Sequence, residues 1–174
     1  MANDQGPDRH REERLNQLIL LYEKDLLRLC CMLLRDVALA QDAVQEAFLK
    51  AYRAMDAFRG DCSEKTWLMR IAVNTCRDVR RSAWQRYIDR RVTLEQLPLP
   101  VEAPDVEYIA LTEAIMRLPR KYAEAVLLHY YHGLNVKETA QALGISAPAV
   151  TNRLKKAHIR LRHELEGGSG NATA

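Results

Sequence analysis

Aromatic residues, glycine and proline are scarce in this chain of 174 residues. Aromatic side chains make up 6% of it, beside 7 glycines and 6 prolines, and few stretches have the composition of a β-strand. Alanine, leucine, glutamate, arginine, lysine and glutamine dominate instead, and all of these residues favour helices. The composition therefore predicts an all-α protein.

The four cysteines, Cys30, Cys31, Cys62 and Cys76, form no C-x-x-C pair, and no histidine lies at metal-ligand spacing from them. We expect ordinary reduced thiols in a cytosolic protein, with a redox role for Cys62 as the alternative. No metal or other cofactor is predicted. The sequence has no recognisable signal peptide, and its most apolar stretch, LNQLILLYEKDLLRLCCMLL, is interrupted by charges. A cytoplasmic location is therefore expected.

The net charge is only +3, but the charges are unevenly distributed. Residues 70–91 carry seven arginines against two aspartates, and residues 146–162 carry five lysines or arginines and no acidic residue. Residues 94–114, in contrast, carry five acidic residues and no basic one. Two basic blocks separated by an acidic segment predict two contacts with a polyanion.

Apolar residues recur at helical spacing along most of the chain. Helices are predicted at about residues 15–33, 37–55, 66–87, 106–118 and 120–131. Pro98, Pro100 and Pro104 interrupt this pattern inside the acidic segment. We therefore predict two small helical domains joined by a flexible linker. The predicted boundaries are a flexible tail at 1–12, a first domain at 13–91, the linker at 92–105, a second domain at 106–165 and a flexible tail at 166–174.

A helix-turn-helix is predicted in residues 133–162, GLNVKETAQALGISAPAVTNRLKKAHIRLR. Asn135 and Glu138 have the spacing of a capping box, which would start a helix at about Val136. Gly144 lies where the turn needs a residue that tolerates positive φ, and Ser146 can cap the next helix. Because this second helix is basic, it has the pattern of a recognition helix for the DNA major groove.

Two longer segments carry a family resemblance. Residues 42–81, DAVQEAFLKAYRAMDAFRGDCSEKTWLMRIAVNTCRDVRR, closely resemble region two of the extracytoplasmic-function (ECF) sigma factors of bacterial RNA polymerase. Residues 118–157, LPRKYAEAVLLHYYHGLNVKETAQALGISAPAVTNRLKKA, resemble region four of the same family. The order of the two segments and the short acidic linker between them also match.

The resemblance implies an alternative sigma factor, with no catalytic role and no cofactor, that binds core RNA polymerase. It would direct promoter-specific initiation, including promoter melting, on both duplex and melted DNA. A further implied partner is an anti-sigma factor, which is commonly anchored in the membrane and releases the sigma factor when a stress signal arrives.

The family motifs also imply three sets of site residues. The residues that would bind core polymerase lie on one face of the second helix: Asp42, Gln45, Glu46, Leu49 and Lys50. Those that would bind the minus-ten element are Phe58, Arg59, Gly60, Asp61, Arg70, Asn74, Arg77 and Arg81. Those that would bind the minus-thirty-five element are Lys137, Pro148, Ala149, Thr151, Asn152, Arg153, Lys155 and Lys156.

Each of these assignments has a plainer alternative. An aromatic wall can hold an unstacked base by stacking, which is worth roughly 1–3 kcal/mol. The alternative for Phe58 is that it anchors its loop in the core. Trp67 lies on the apolar stripe of its helix and is expected to be core. The face of the second helix that would bind polymerase could be an ordinary solvated surface.

Other functions are also open. A helix-turn-helix regulator that binds duplex DNA as a dimer, without replacing the housekeeping sigma factor, would share the second domain. It would leave the first basic block unexplained, and no segment resembles a dimerisation helix. An enzyme is disfavoured because no H-E-x-x-H, P-loop, nucleophile elbow or G-x-G-x-x-G is present. A purely structural partner protein would account for neither basic block.

Overall fold

A computed structural model describes residues 6–83 and 106–168, and every regular element in these two ranges is helical. The α-helices are α1 (Gly6–Leu34), α2 (Val37–Ala54), α3 (Glu64–Ala83), α4 (Val106–Arg117), α5 (Arg120–Val126), α6 (Val136–Leu143) and α7 (Ala147–Gly168). A 3₁₀ turn, Met55–Ala57, follows α2, and a π-helical turn, Leu127–Tyr131, extends α5. The predicted all-α class is confirmed.

A connection of two residues reverses the chain between α1 and α2. Arg35 has a φ of +56°, a left-handed conformation that is uncommon outside glycine, and its N–H donates to the Cys31 carbonyl at 2.8 Å. Asp36 then caps α2, because its carboxylate accepts from the Leu39 N–H at 2.9 Å. The two helices therefore pack side by side, and α3 packs against both of them.

Large apolar side chains fill the space between these three helices. The fully buried ones include Leu18, Leu26, Leu29, Leu68 and Met69. Trp67 is half-buried and packs against this cluster, so its predicted place in the core is confirmed. All four cysteines are free thiols, and burial raises the pKa of Cys62, which disfavours a reactive thiolate there.

The helices α4 to α7 form the second half of the molecule, where α7 packs against α4, α5 and α6. The buried side chains of this second half include Ile115, Leu127, Leu128, Val150 and Ala157. The capping box is confirmed: Asn135 Oδ1 accepts from the Glu138 N–H, and Glu138 Oε2 accepts from the Asn135 N–H, both at 2.9 Å. The start of α6 is therefore set by local contacts.

The two halves pack directly on each other. The helix α3 lies against α6, and α1 lies against α5. Buried apolar residues of both halves join in one continuous cluster, which runs from Leu18 in α1 to Ala157 in α7. The described parts of the chain therefore adopt a closed arrangement, in which the second half covers part of α3.

Two helices extend beyond the limits expected from the sequence. The helix α1 begins at Gly6, inside the segment 1–12 that was predicted to be a flexible tail. Its polar first turns are held by Arg11, which lies 3.1 Å from an Asp56 oxygen and 5.0 Å from the centre of the Tyr52 ring. Such contacts between distant residues cannot be inferred from hydrophobic periodicity.

At the other end, α7 continues to Gly168, past the predicted limit at 165. The predicted linker at 92–105, the predicted end of the third helix at 84–87 and residues 169–174 lie outside the described residues. Within the described helices, no stretch combines the length and the hydropathy needed to cross a membrane.

Replacing Asn135 tests the contribution of the capping box. We expect Asn135→Ala to lower the free energy of unfolding by about 1 kcal/mol, because an N-terminal N–H of α6 loses its acceptor. Urea unfolding measures this change. Lys137→Ala, an exposed change in the same helical turn, is the control and should alter the value by less than about 0.5 kcal/mol. Equal losses in both variants would contradict the capping role.

Candidate nucleic-acid interface

The turn between α6 and α7 has the predicted geometry. Gly144 adopts a φ of +68°, which ends α6, and the Ser146 hydroxyl accepts from the Ala149 N–H at 3.3 Å, which caps α7. Ala140 and Val150 are buried where the two helices meet. These contacts set the direction in which α7 leaves the domain, and so they confirm the helix-turn-helix.

The outer face of α7 is open to solvent. Of the residues predicted to contact the minus-thirty-five element, the exposed ones are Lys137, Pro148, Thr151, Asn152, Lys155 and Lys156. Ala149 and Arg153 are half-buried. Because residues 146–162 carry five basic side chains and no acidic one, the potential at this face favours a polyanion. The geometry can therefore place a basic helix in a DNA groove.

The exposed side of α3 forms the second candidate surface. Arg70, Asn74 and Arg81 are exposed, and Arg81 lies 3.3 Å from an Asp78 oxygen. The side-chain oxygen of Asn74 accepts from Arg77 Nη1 at 3.2 Å, which orients the amide. The amide nitrogen takes no part in that bond and can donate to a base edge.

The loop before α3 holds Phe58 against Trp67. Their ring centres are 4.8 Å apart with planes inclined by 30°, and the Arg14 guanidinium lies 5.8 Å from the Phe58 ring. Phe58 is half-buried, whereas Arg59, Gly60 and Asp61 are exposed. The stacking supports the alternative in which Phe58 anchors the loop, and the assignment of Phe58 to DNA stays a prediction.

The helix α2 presents the candidate polymerase surface on the side opposite its buried alanines. Asp42, Gln45 and Leu49 are exposed, and the Leu49 side chain is unusual in being 49% exposed on a helix with a well-buried apolar face. Glu46 and Lys50 are half-buried. Lys50 Nζ lies 3.3 Å from both Asp78 Oδ2 and Thr75 Oγ1, so this edge of the surface is tied to α3.

One of the predicted DNA-binding residues is engaged within the protein. Arg77 forms two hydrogen bonds with Glu124 of α5, from Nε to Oε1 at 3.1 Å and from Nη2 to Oε2 at 2.7 Å. Only 3% of the Glu124 side chain is exposed. The hydrogen bonds with Glu124 raise the pKa of Arg77, and Arg120 Nε lies 3.4 Å from the same carboxylate. Arg77 therefore has a partner in the closed arrangement.

Two further polar contacts join the halves. Lys65 Nζ donates to the His132 carbonyl at 2.6 Å, and Gln141 Nε2 donates to the Asp61 carbonyl at 3.5 Å. Sequence reasoning missed Lys65, Glu124, His132 and Gln141 because their partners are distant along the chain. One signal was present for Glu124, a charged residue at a position of apolar periodicity in YAEAVLL.

Histidine, cysteine, aspartate and glutamate side chains do not gather in groups of three or more that could hold a metal ion, as far as the chain is described. The features of the site are instead two basic surfaces and one partly apolar face. Comparison with known proteins identifies the family of the chain. The model of sigma-70 region 2 matches residues 18–86, and that of sigma-70 region 4 matches residues 108–161. The chain belongs to the sigma-70 family.

Similar proteins place this sigma factor in the ECF group. It is 31% identical over 163 residues to the RNA polymerase sigma-H factor of Pseudomonas aeruginosa, covering 86% of this chain and 84% of that protein. It is 34% identical over 148 residues to the ECF RNA polymerase sigma factor SigM of Mycobacterium tuberculosis, covering 84% and 74%. The resemblance to ECF sigma factors is thereby confirmed, and with it membership in a family of transcription initiation factors.

Solved structures share the fold of this sigma factor. The sigma factor RpoE of Bartonella quintana, in complex with the anti-sigma factor NepR, aligns with a TM-score of 0.77 at 21% identity, covering 88% of this chain and 98% of that one. CnrH, in complex with the cytosolic domain of CnrY, aligns with a TM-score of 0.69 at 24% identity, covering 90% of each. The arrangement of two helical domains is therefore shared with both proteins.

His132 is a buried titratable group of the sigma factor, at the contact between its halves. Its side chain is 6% exposed, and its Nδ1 has no hydrogen-bond partner within the described structure. Burial lowers its pKa to about 4. Lys65 and Arg28 act in the same direction, and Asp25 opposes them. The imidazole is therefore neutral at physiological pH.

Acid should destabilise the closed sigma factor through His132. Between pH about 6.5 and 4 the unfolded chain binds a proton that the folded protein does not, so stability falls as pH falls. From pH 7.5 to 5 we expect wild type to lose about 2 kcal/mol more free energy of unfolding than His132→Gln. Urea unfolding at both pH values measures the difference, and parallel losses in the two proteins would contradict it.

Proposed function

We propose that this protein is an alternative sigma factor that binds core RNA polymerase and directs promoter-specific initiation, including promoter opening. The observation that carries the proposal is the presence, in one chain, of regions two and four with a basic surface on each. The first surface is the exposed side of α3, and the second is the basic face of α7 within residues 147–162, which carry no acidic side chain. The protein would supply recognition of the promoter, and we propose no catalytic residue and no cofactor of its own.

The second domain, which we place at residues 106–165, would read the minus-thirty-five element as duplex DNA. Thr151 and Asn152 are exposed on α7 and carry side chains that can hydrogen-bond base edges in the major groove. Lys156 is exposed on the same helix and would lie beside the bases, where its charge neutralises a phosphate. Arg153 and Lys155 would neutralise phosphates and so fix the register of the helix on the duplex. Lys137, at the start of α6, would add a backbone contact.

The first domain, which we place at residues 13–91, would bind the minus-ten element during melting. Unstacking a base costs a few kcal/mol, so a captured base needs both stacking and hydrogen bonds. The exposed loop residues beside Phe58 and the oriented Asn74 amide can supply a pocket of this kind. Arg70 and Arg81 would hold the phosphates on either side.

The face of α2 would bind core polymerase. An exposed leucine surrounded by charged and polar side chains has the composition of a small interface, with an apolar centre and a polar rim. Leu49 would be the centre, and Asp42, Gln45 and Glu46 the rim. Lys50 would fix the position of this face relative to α3 through its ion pair with Asp78.

An anti-sigma factor is the further partner that we propose. Two proteins of the same fold have been solved in complex with NepR and with the cytosolic domain of CnrY, and NepR is an anti-sigma factor. Such a partner would occlude the polymerase-binding surface until a stress signal arrives. Since polymerase works in the cytoplasm, we propose this location, where a membrane-anchored anti-sigma factor could still hold the protein.

Reconstitution with bacterial core polymerase tests the function. We expect the complex to initiate on genomic fragments at new start sites that share two spaced elements, which core polymerase alone does not use. DNA binding by the isolated chain without new start sites would favour a helix-turn-helix regulator and contradict the proposal.

Two variants in this assay distinguish the role of the DNA-binding surface on α3 from that of the polymerase-binding face on α2. Asn74→Ala should abolish promoter opening, measured by permanganate footprinting, while core binding is retained, because only a base contact is removed. Leu49→Asp should weaken core binding itself, because a charge replaces the apolar centre of the face. Loss of core binding in Asn74→Ala would show that the assignment of region two is wrong.

Lys156 tests the contact of α7 with DNA. Lys156→Ala should weaken binding broadly across promoter sequences and reduce the slope of log K against log salt by about one unit, because one phosphate charge is no longer neutralised. Titration of promoter DNA with the polymerase complex at several salt concentrations measures the slope. Arg117→Ala, an exposed change on α4 within the same domain, should leave the slope unchanged. An unchanged slope in Lys156→Ala would remove this residue from the contacts.

A further inference from the structure

Two arginines of α1, one helical turn apart, contact both ends of the loop that the proposed function assigns to the minus-ten element. Arg11 Nη2 lies 3.1 Å from Asp56 Oδ2, where the loop begins. Arg14 donates to Glu64 Oε1 from Nε at 3.0 Å and from Nη2 at 2.7 Å, where the loop ends and α3 starts. The first turns of α1 therefore hold the intervening residues 57–63, which we call the Phe58 loop, at both ends.

Arg14 also contacts the aromatic ring of this loop. Its guanidinium carbon lies 5.8 Å from the centre of the Phe58 ring, and that centre lies 4.8 Å from the centre of the Trp67 ring. Trp67 in turn packs against the buried apolar cluster. A continuous series of contacts therefore runs from Arg14 through Phe58 to the core, and Phe58 is held by both a cation and an aromatic ring.

The start of α3 is already fixed by a local cap, without this ion pair. The Ser63 hydroxyl oxygen accepts from the Thr66 N–H at 3.1 Å, which satisfies an N-terminal donor of the helix. The Arg14 and Glu64 side chains are 36% and 40% exposed, so solvent screens their attraction and the pair adds little to the stability of the protein. What the pair determines is the position of the Phe58 loop relative to α1.

A fixed loop favours the capture of a base. Arg59, Gly60 and Asp61 are exposed, and Gly60 has a φ of +76°, in a region of backbone conformation that glycine enters freely. A loop that samples several conformations receives a base in only one of them, and its apparent affinity falls by the fraction of time spent there. Contacts that hold both ends of the loop raise this fraction before DNA binds.

We propose that Arg14 is a positioning residue for base capture, which holds the Phe58 loop in the conformation that receives a base of the melted strand. This proposal rests on the proposed function for the identity of the ligand. Arg14 acts through Phe58 and Glu64 and contacts no base itself. The first turns of α1, which lie outside the three sets of site residues, thereby contribute to the minus-ten surface.

The variant Arg14→Met tests this role, because it removes the guanidinium and keeps an unbranched side chain. The probes are single-stranded oligonucleotides with the non-template strand of a minus-ten element mapped in the transcription assay. One is intact, and the other has an abasic site at the position where the wild-type polymerase complex loses most affinity. We expect the preference for the intact probe to fall about fivefold in Arg14→Met, and the affinity for the abasic probe to stay unchanged, since no base enters the loop there.

Two further variants control this comparison. Arg9→Met is the matched control, since Arg9 pairs with Glu13 at 3.4 Å within α1, and it should keep the wild-type preference. Glu64→Gln removes the ion pair from the other side while Ser63 still caps α3, and it should lower the preference as Arg14→Met does. An equal loss of affinity for both probes in Arg14→Met would indicate a phosphate contact or a general loss of stability, and would overturn the positioning role.

Fluorescence of Trp67 measures the position of the loop without DNA. In free full chains that also carry Trp84→Phe, Trp67 is the single tryptophan. Acrylamide should quench it about twofold more strongly in Arg14→Met, because Phe58 is no longer held against it, and to the wild-type extent in Arg9→Met. Unchanged quenching in Arg14→Met would contradict the proposed effect of Arg14 on the loop.

The two measurements distinguish the role of Arg14 from the function on which it rests. A wild-type preference for the intact probe that Arg14→Met retains would overturn the positioning role alone. Stronger quenching in Arg14→Met, without promoter-specific transcription by the wild type, would overturn the proposed function and retain the effect of Arg14 on the loop. If Arg14→Met does not fold by circular dichroism, Glu64→Gln replaces it in both measurements with the same expected results.

Discussion

Each functional helix of this sigma factor has to bury one apolar face and leave the opposite face for another molecule. The helix α2 packs four alanines (40, 43, 47 and 51) and Phe48 inward and presents Leu49 outward, and α7 buries Val150 and Ala157 behind its basic face. The cost of exposing apolar surface fixes which side of each helix is inward. The three candidate surfaces are therefore consequences of the core, because any rotation of a helix that moved them would expose the residues that hold the domain together.

Burial of apolar surface also holds the two domains against each other, but polar contacts contribute to this boundary as well. Apolar side chains join the two halves in one cluster, and the polar contacts across the boundary of the described ranges include an ion pair and two bonds to backbone carbonyls. Polar contacts can be exchanged for water or for another partner at a small net change in free energy. The apolar contacts inside each domain cannot be replaced by water at so small a cost. The boundary between the halves therefore combines a shared apolar cluster with polar contacts that water could replace.

Much of the fold could be predicted because its determinants are local. The spacing of Asn135 and Glu138, the glycine at position 144 and Ser146 placed the helix-turn-helix correctly, since caps and turns depend on neighbours within a few residues. The limits of α1 and the partner of Arg77 could not be predicted. The first depends on Arg11 meeting Tyr52, and the second on Glu124, which is 47 residues away along the chain. The roles of the site residues toward DNA and polymerase stay predictions.

The sequence alone determined that the protein is helical, that it carries two basic surfaces, and that it resembles an ECF sigma factor. These properties follow from composition, periodicity and short motifs, which act over a few turns of helix. Only the tertiary structure decided that α5 and α6 lie against α3, that Glu124 holds Arg77, and that His132 is buried without a partner for its Nδ1 among the described residues. These contacts join residues far apart in the chain, and no local pattern specifies which distant helix faces will meet.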